Sequence, residues 1–297
     1  MELRQLRSLV ALAEESHFTR AAQRLHIAQP ALSQQIAKLE REVGVPLVDR
    51  TTRRVALTEA GELLLAHARR MISEETVALA ELDELAGLRR GHLNVGAAQA
   101  MGPVDLAKLL VGFHRSYPAV ELTVREALSV DLNVAVLADE LDLAFVTGVA
   151  DPARIESHQV ALEDLVCILS PAHPLTGADE VSLADLADET FVMFAGSATI
   201  RGIVQRAAGE HGYAPQIGFE TSDVNRIRAL VGAGLGVAIL PRSDAEARGP
   251  RVAHRPLTDA GLVHAVHVCW RRGRRHSPAA KALVELALRE AGTVAAT

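Results

Sequence analysis

Residues 18–42 read FTRAAQRLHIAQPALSQQIAKLERE, a stretch whose polar groups are short amides, hydroxyls and scattered cations, with no paired carboxylates, no thiol and no ligand cluster. Gln29, Ser33, Gln34, Lys38 and Arg41 fall on one side of a helical period, and Leu32, Ile36, Leu39 and Val43 on the other. Amides and hydroxyls on the exposed amino-terminal end of a helix about 10–12 Å wide suit the DNA major groove, where Gln pairs bidentately with adenine and Ser meets either partner. An ordinary solvated helix face is the alternative. The residues that follow favour the first reading: PLVDRTTRRVALT places two apolar runs around Arg50, Thr51, Thr52, Arg53 and Arg54. That predicts a β-hairpin wing whose basic tip reaches a phosphate backbone or a narrow minor groove. Between Phe18 and Arg54 seven Lys and Arg residues stand against three acids, in a chain whose net charge is −6. Such asymmetry marks a separate basic module.

Other residues with chemical potential carry less. Gly232, Gly234 and Gly236 miss the dinucleotide-binding spacing, because Val237 stands where the third glycine belongs, and read as a helix exit into a buried strand. His264 and His267 have a strand spacing that sends them to opposite faces, which argues against a shared metal. Ser197 in FAGSATIRG lacks a nucleophile-elbow pattern and a base. Cys167 and Cys269 lie in the apolar runs LVCIL and VHVCW and read as buried free thiols. The run WRRGRRHSP reads as a solvated loop before a helix begun by Ser277 and Pro278, with a second anion patch as the alternative. No convergent set of titratable groups supports an enzyme, and neither cofactor nor metal is expected.

The polar face needs elements to hold it. Leu3, Leu6, Leu9, Val10 and Ala13 recur as one helical stripe, and a short second helix carries Ala21, Ala22 and Leu25 behind Thr19 as N-cap. The third helix is expected over Gln29–Val43, with Pro30 tolerated in the first turn and Gly44 as its stop. A long amphipathic helix follows from Thr58 to about Arg89, with Glu59 and Glu62 at its positive end and Arg89 and Arg90 at the other. Leu65, Ala68, Ile72, Leu79, Leu82 and Ala86 keep heptad spacing, interrupted at Glu75. This predicts a coiled-coil pairing about 45 Å long, or packing against its own chain. From His92 the pattern alternates: HLNVGAA, VELTVRE, LDLAFVTG, LVCILS, FVMF, IGFE, GVAILP and VHAVHVCW read as strands, and segments such as Val104–His114 and Asp223–Val231 as helices. With 297 residues, 49% of them hydrophobic and 23% charged, the chain suffices for two or three globular domains. Arg4, Arg7 and Glu14 interrupt the amino terminus, and no run reaches the roughly 18 apolar residues of a span, so a cytoplasmic, non-membrane protein is expected.

Residues 1–65 closely resemble the winged helix-turn-helix domain of LysR-type transcriptional regulators, and RIRALVGAGLGVAILP and VSLADLADETFVMF resemble their effector-binding part. The resemblance implies an α/β chain with an N-terminal all-α-type winged helix-turn-helix domain (1–57), a long linker helix (58–90) and a two-lobed, periplasmic-binding-protein-like effector domain (91–297). Lobe I would cover about 91–161 and 267–297, lobe II about 162–266, with crossings near Ala161 and Val266. By the same resemblance Gln29, Pro30, Ser33 and Gln34 face bases, while Thr19, Arg20, Lys38, Arg50, Arg53 and Arg54 mostly meet the backbone or minor groove. Two positions depart from the common pattern: Ala28 stands where many members have Ser or Thr, and Val48 where an aromatic is common. Implied partners are promoter or operator duplex DNA, a small-molecule effector, RNA polymerase, and a second copy joined through the linker helix, with tetramers beyond. A solute-binding protein with an appended helical domain is the alternative function, disfavoured by the missing export signal.

Strand ends and helix starts commonly line ligand sites in such folds, which nominates Gln99, Ala100, Met101, Ser129, Thr147, Ser197 and Thr199 for the effector. Helix starts after AAQAMGP and FAGSAT would aim unsatisfied N–H groups at the cleft, with Arg201 one turn inside the second. A small carboxylate or other anion is expected there. A neutral sugar, or purely structural caps, are the alternatives.

Overall fold

The first hydrophobic stripes close on one another as three helices, α1 (Leu3–Glu15), α2 (Phe18–Arg24) and α3 (Gln29–Val43). The structure is a computed structural model and describes residues 1–49, 55–85, 90–196 and 198–294. Leu6, Leu9, Leu12, Leu32, Ile36 and Leu39 form the shared core. The start of α2 is set by His17 and not by Thr19: His17 Nδ1 accepts the Thr19 N–H at 3.2 Å. The reason is that α1 ends in a left-handed Ser16 (φ 47), so the chain has turned back by His17 and must enter the helix at Phe18. Left-handed His26 (φ 53) makes the turn into α3, closed by the Ile27 N–H donating to Ala22 O at 3.0 Å. Gly44 (φ 80) ends α3.

A two-strand hairpin follows, β1 (Val48–Asp49) against β2 (Ala56–Leu57), antiparallel with Val48 opposite Leu57. Its expected tip, with Arg50, Thr51, Thr52, Arg53 and Arg54, lies outside the described residues. Glu40 of α3 fixes the hairpin base, its Oε1 accepting the Leu47 and Val48 N–H groups at 2.9 and 3.2 Å. Helix α4 (Glu59–Leu85) starts at Thr58, whose Oγ1 accepts the Gly61 N–H at 3.0 Å. Gly61 is required there, because a Cβ would lie 2.1 Å from Leu47 O. The heptad stripe on α4 divides. Leu65 and Ala68 are buried and Ile72 packs into the helical core, while Arg7 of α1 reaches Glu75 at 2.6 Å. Leu79 and Leu82 remain 56% and 61% exposed. The expected start of the stripe is thus consumed by the chain's own α1.

The chain forms two compact units, residues 1–91 with 138–140 and 275–278, and residues 92–137, 141–274 and 279–297. The second contains most of the strands, in the order β3 (Arg90–Ala97), α5 (Leu106–Ser116), β4 (Ala119–Glu126), α6 (Ser129–Leu137), β5 (Leu143–Val146), β6 (Ile155–Leu169), β7 (Thr190–Phe194), α7 (Thr199–Glu210), β8 (Gln216–Thr221), α8 (Val224–Gly232), β9 (Ala238–Pro241), α9 (Arg242–Glu246), β10 (Ala253–Pro256), β11 (Val263–Arg271) and α10 (Pro278–Val294). One sheet runs β10-β6-β11-β5-β3-β4 with β9 also on β6, and β7 and β8 make a separate parallel pair. Strand β6 serves two lobes. Its residues Ile155–Asp164 pair with β11, and Leu165–Leu169 pair with β9 and β10. Each lobe has its own core, one around Leu93, Phe113, Phe145 and Leu283, the other around Ile168, Phe191, Val204 and Leu240.

Only the second half of β6 is legible as a strand, because the register shift opposite Val266 and His267 breaks the two-residue alternation of its first half. The four residues of β10, AHRP, carry no apolar alternation at all. No helix among the described residues is long and apolar enough to cross a membrane.

Candidate functional site

Two features answer the chemistry of the sequence. On the first unit, Thr19, Arg20, Gln29, Pro30, Gln34 and Lys38 are exposed and Ser33 is half-buried. The side of α3 opposite this face buries Leu32, Ile36 and Leu39, so the core itself orients the polar row outward. Ala28 caps α3 without a side-chain hydrogen bond, which leaves the first turn open. The bases are less free than the segment's own count implies. Lys38 reaches Glu2 at 2.7 Å, Arg24 reaches Glu14 at 2.6 Å, and Arg20 Nη2 donates to Glu15 O at 2.5 Å. The Lys38 hydrogen bond, with Arg4, holds the Glu2 carboxyl below its ordinary range. These acids lie outside residues 18–54 in sequence and come alongside through α1.

On the second unit a cleft of about 340 Å³ of empty space, open to solvent, lies between the lobes. Gln99, Ala100, Ser129 and Thr147 line it from one lobe and Thr199 from the other, with Ala98, Ala127, Leu128, Phe194, Ala198 and Ile200 as apolar wall. No ionisable side chain is among these. The Thr147 N–H donates to Ser129 Oγ at 3.0 Å, the two hydroxyls lie 3.0 Å apart, and Thr147 Oγ1–H donates across the cleft to Thr199 Oγ1 at 3.0 Å. Since each hydroxyl has one proton, the chain runs Ser129 to Thr147 to Thr199, and the Thr199 O–H has no acceptor among the described residues. Ala198, the N-cap of α7, likewise provides no side-chain cap.

Three sequence expectations meet a different arrangement, and a fourth falls on a residue outside those described. Met101 packs against the first lobe's core rather than the cleft. Arg201 is turned to Glu220 at 2.7 Å and to Phe194 O at 3.2 Å, so its charge is already matched. Ser197 lies outside the described residues. The helix start after AAQAMGP is closed, because Asp105 Oδ1 accepts the Lys108 N–H at 2.9 Å and a carboxylate already occupies that dipole end. The start of α6, at Leu128 and Ser129, lines the cleft in its place.

Sequence reasoning missed Asn133, a buried amide whose signal was one polar residue inside the apolar run LNVAVLA. It also missed the support behind Ala100. His264, buried, donates from Nε2 to Ala100 O at 3.0 Å, and burial holds its pKa down. Cys167 and Cys269 are free and buried, their thiols pushed up to about 12 by desolvation. Among the described residues no group of three or more His, Cys, Asp or Glu is placed to hold a metal. Arg274 of the basic run is bound to Asp142, and Arg272 donates to Pro152 O at 3.1 Å.

Comparison with known proteins agrees with this division. The family model described as "Bacterial regulatory helix-turn-helix protein, lysR family" matches residues 3–62, and "LysR substrate binding domain" matches residues 86–292. The HTH-type transcriptional regulator BudR of Raoultella terrigena is 36% identical over 283 residues, covering 93% of this chain and 96% of BudR. A full-length OxyR variant from Pseudomonas aeruginosa superposes with a TM-score of 0.75 at 28% identity, over 98% of this chain and 94% of that one. Full-length CbnR in complex with its target DNA gives a TM-score of 0.65 at 25% identity, over 98% of this chain and all (100%) of that one. With a helix-turn-helix unit and a two-lobed binding unit matched in order along almost its whole length, this chain belongs to the LysR family of transcriptional regulators.

Proposed function

We propose that this regulator reads duplex DNA with the amino-terminal face of α3, with Arg50, Arg53 and Arg54 of the wing on the backbone, and that its effector is a small carboxylate held in the inter-lobe cleft. The observation that carries the ligand class is the direction of the hydroxyl chain: with Thr147 donating to Thr199, Ser129 donates to Thr147, and the Thr199 O–H is left without an acceptor among the described residues. The uncapped first turn of α7 adds backbone N–H groups and a positive dipole end at the same place. Arg201 is neutralised by Glu220, so the anion is held by oriented neutral donors rather than by an ion pair. The exposed Leu79 and Leu82 support pairing of α4 with a second copy, which would present two α3 helices to a two-fold symmetric site. Several relatives are hydrogen peroxide-inducible genes activators, 30–32% identical; with both thiols buried and hard to ionise, thiol oxidation is not part of this reading.

The test is calorimetry of the full chain against small carboxylates, each matched with its amide. Acids should be preferred, and Thr199→Val combined with Gln99→Ala should weaken their binding. Preference for the amides, or binding indifferent to those changes, would remove the carboxylate from the cleft as drawn.

A further inference from the structure

Asn133 is 2% exposed and touches no surface that a ligand reaches, yet its amide is engaged on three sides. Nδ2 donates to Ser129 O at 2.5 Å and to Gly148 O at 2.8 Å, and Oδ1 accepts the Ala150 N–H at 3.3 Å. A closed circuit results. Ser129 Oγ receives the Thr147 N–H, the Ser129 carbonyl is held by Asn133, and Asn133 returns to Gly148, the neighbour of Thr147. Two carbonyl oxygens brought together in a buried place repel one another unless a group with two N–H donors lies between them, and an amide is the short side chain that supplies both. Gly148 also lies close to the opposite lobe: a Cβ there would come within 3.3 Å of Thr199 Oγ1, so the loop after β5 has little room to shift toward α7.

We propose that Asn133 is a positioning residue of the effector cleft. It holds the first turn of α6 and the loop after β5 at one spacing, so that Ser129 and Thr147 keep the donor order that ends on Thr199. The inference rests on the reading of this cleft as the effector site. Replacement by Asp keeps the shape and removes both N–H donors, leaving a carboxylate against two carbonyls; on protonation one donor returns. The clamp therefore has a pH signature that packing alone lacks.

The experiment is amide hydrogen exchange on the full-length protein, read at Thr147 and Ala150, with Ile239 and Leu240 of β9 as internal references. In Asn133→Asp at pH 8 the two cleft amides should exchange about tenfold faster than in the wild type, or more, and the ratio should fall toward one as pH is lowered and the carboxyl protonates. The control is Val136→Ala, which empties a core position on the same helix and should lower Tm without singling out Thr147 and Ala150. Wild-type exchange in Asn133→Asp, a ratio that ignores pH, or the same local pattern in Val136→Ala would each overturn the assignment. Should Asn133→Asp not fold, Asn133→Ser keeps one donor and should give a smaller rise confined to the same two amides; no rise would overturn it equally. No ligand enters this measurement, so its failure is distinct from failure of the carboxylate panel, which tests the cleft reading by itself.

Discussion

The first turns of α3 and α7 are built alike and used differently. Each has an alanine at the N-cap, Ala28 or Ala198, and among the described residues no side chain caps its free N–H groups. By contrast α2, α5 and α8 are closed by His17, Asp105 and Asp223. Around α3 the open end is solvent-exposed, with Gln29 and Pro30 beside it, so it suits a long polyanion held by many weak contacts while side chains read sequence. Around α7 the open end is half-buried, under an apolar wall and a hydroxyl chain that points one way. The same backbone chemistry serves there for one small anion. A third helix start shows the end state from within: Glu163 accepts both the N–H and the Oγ–H of Ser243 at the head of α9, at 2.9 and 2.8 Å.

The comparison breaks most clearly at Ala198. Ala198→Asp places a carboxylate where the effector's is proposed, which should lower the affinity of any carboxylate that binds the wild type by about 100-fold while leaving Tm no lower, because the new side chain caps α7. Unchanged calorimetric affinity would show that the open end of α7 is not the anion site. Next in size, Gln29→Ala should cost about 1–3 kcal/mol on a cognate duplex and little on random DNA. Equal losses in a gel-shift titration would return α3 to a phosphate-binding role alone.

Asp244 sharpens the third case. Burial first and the nearby Glu163 second raise its carboxyl from the ordinary 3.8 to about 6. A raised folded-state pKa means that stability is fully present below about pH 4 and is lost as pH rises through 6. Asp244→Asn should therefore unfold at higher denaturant than the wild type at pH 7, by roughly 1–3 kcal/mol, with no gain at pH 4. A gain of the same size at both pH values would mean that charge is not its cause. The smallest effect is expected at Ala28: Ala28→Ser supplies the missing cap and should stabilise the helical unit by about 1 kcal/mol in thermal melts. No gain would mean that the first turn of α3 is already satisfied by other groups.

Much of this was legible in one dimension. The helical stripes of the first sixty residues, Pro30 within the first turn and Gly44 at the stop follow from local sterics and periodicity, and α3 occurs over the expected Gln29–Val43. The strands that alternate cleanly were equally visible. The first half of β6 was not, since its bulge removes the alternation, and neither was β10, which exists because β6 offers it hydrogen-bonding partners. Likewise Thr19 has the composition of a cap, but the turn at Ser16 gave that task to His17.

Sequence alone determined the helical stripes of the first unit, the alternation of strands and helices after it and the polar face of α3, because these depend on contacts within a turn or between neighbouring segments; the two lobes were implied only by the family resemblance. Tertiary structure decided which donors meet. Ser129, Thr147 and Thr199 are separated by 18 and 52 residues along the chain, and only the folding of two lobes around β6 brings their hydroxyls to 3.0 Å. The same holds for what is taken away: Glu220 claims Arg201, Asp105 closes α5, α1 covers half the heptad stripe, and Glu2, Glu14 and Glu15 temper the basic segment. Residue type sets what a group can do, but charge pairing and hydrogen bonding act over a few ångströms of space, and that distance is fixed by packing between segments far apart in sequence.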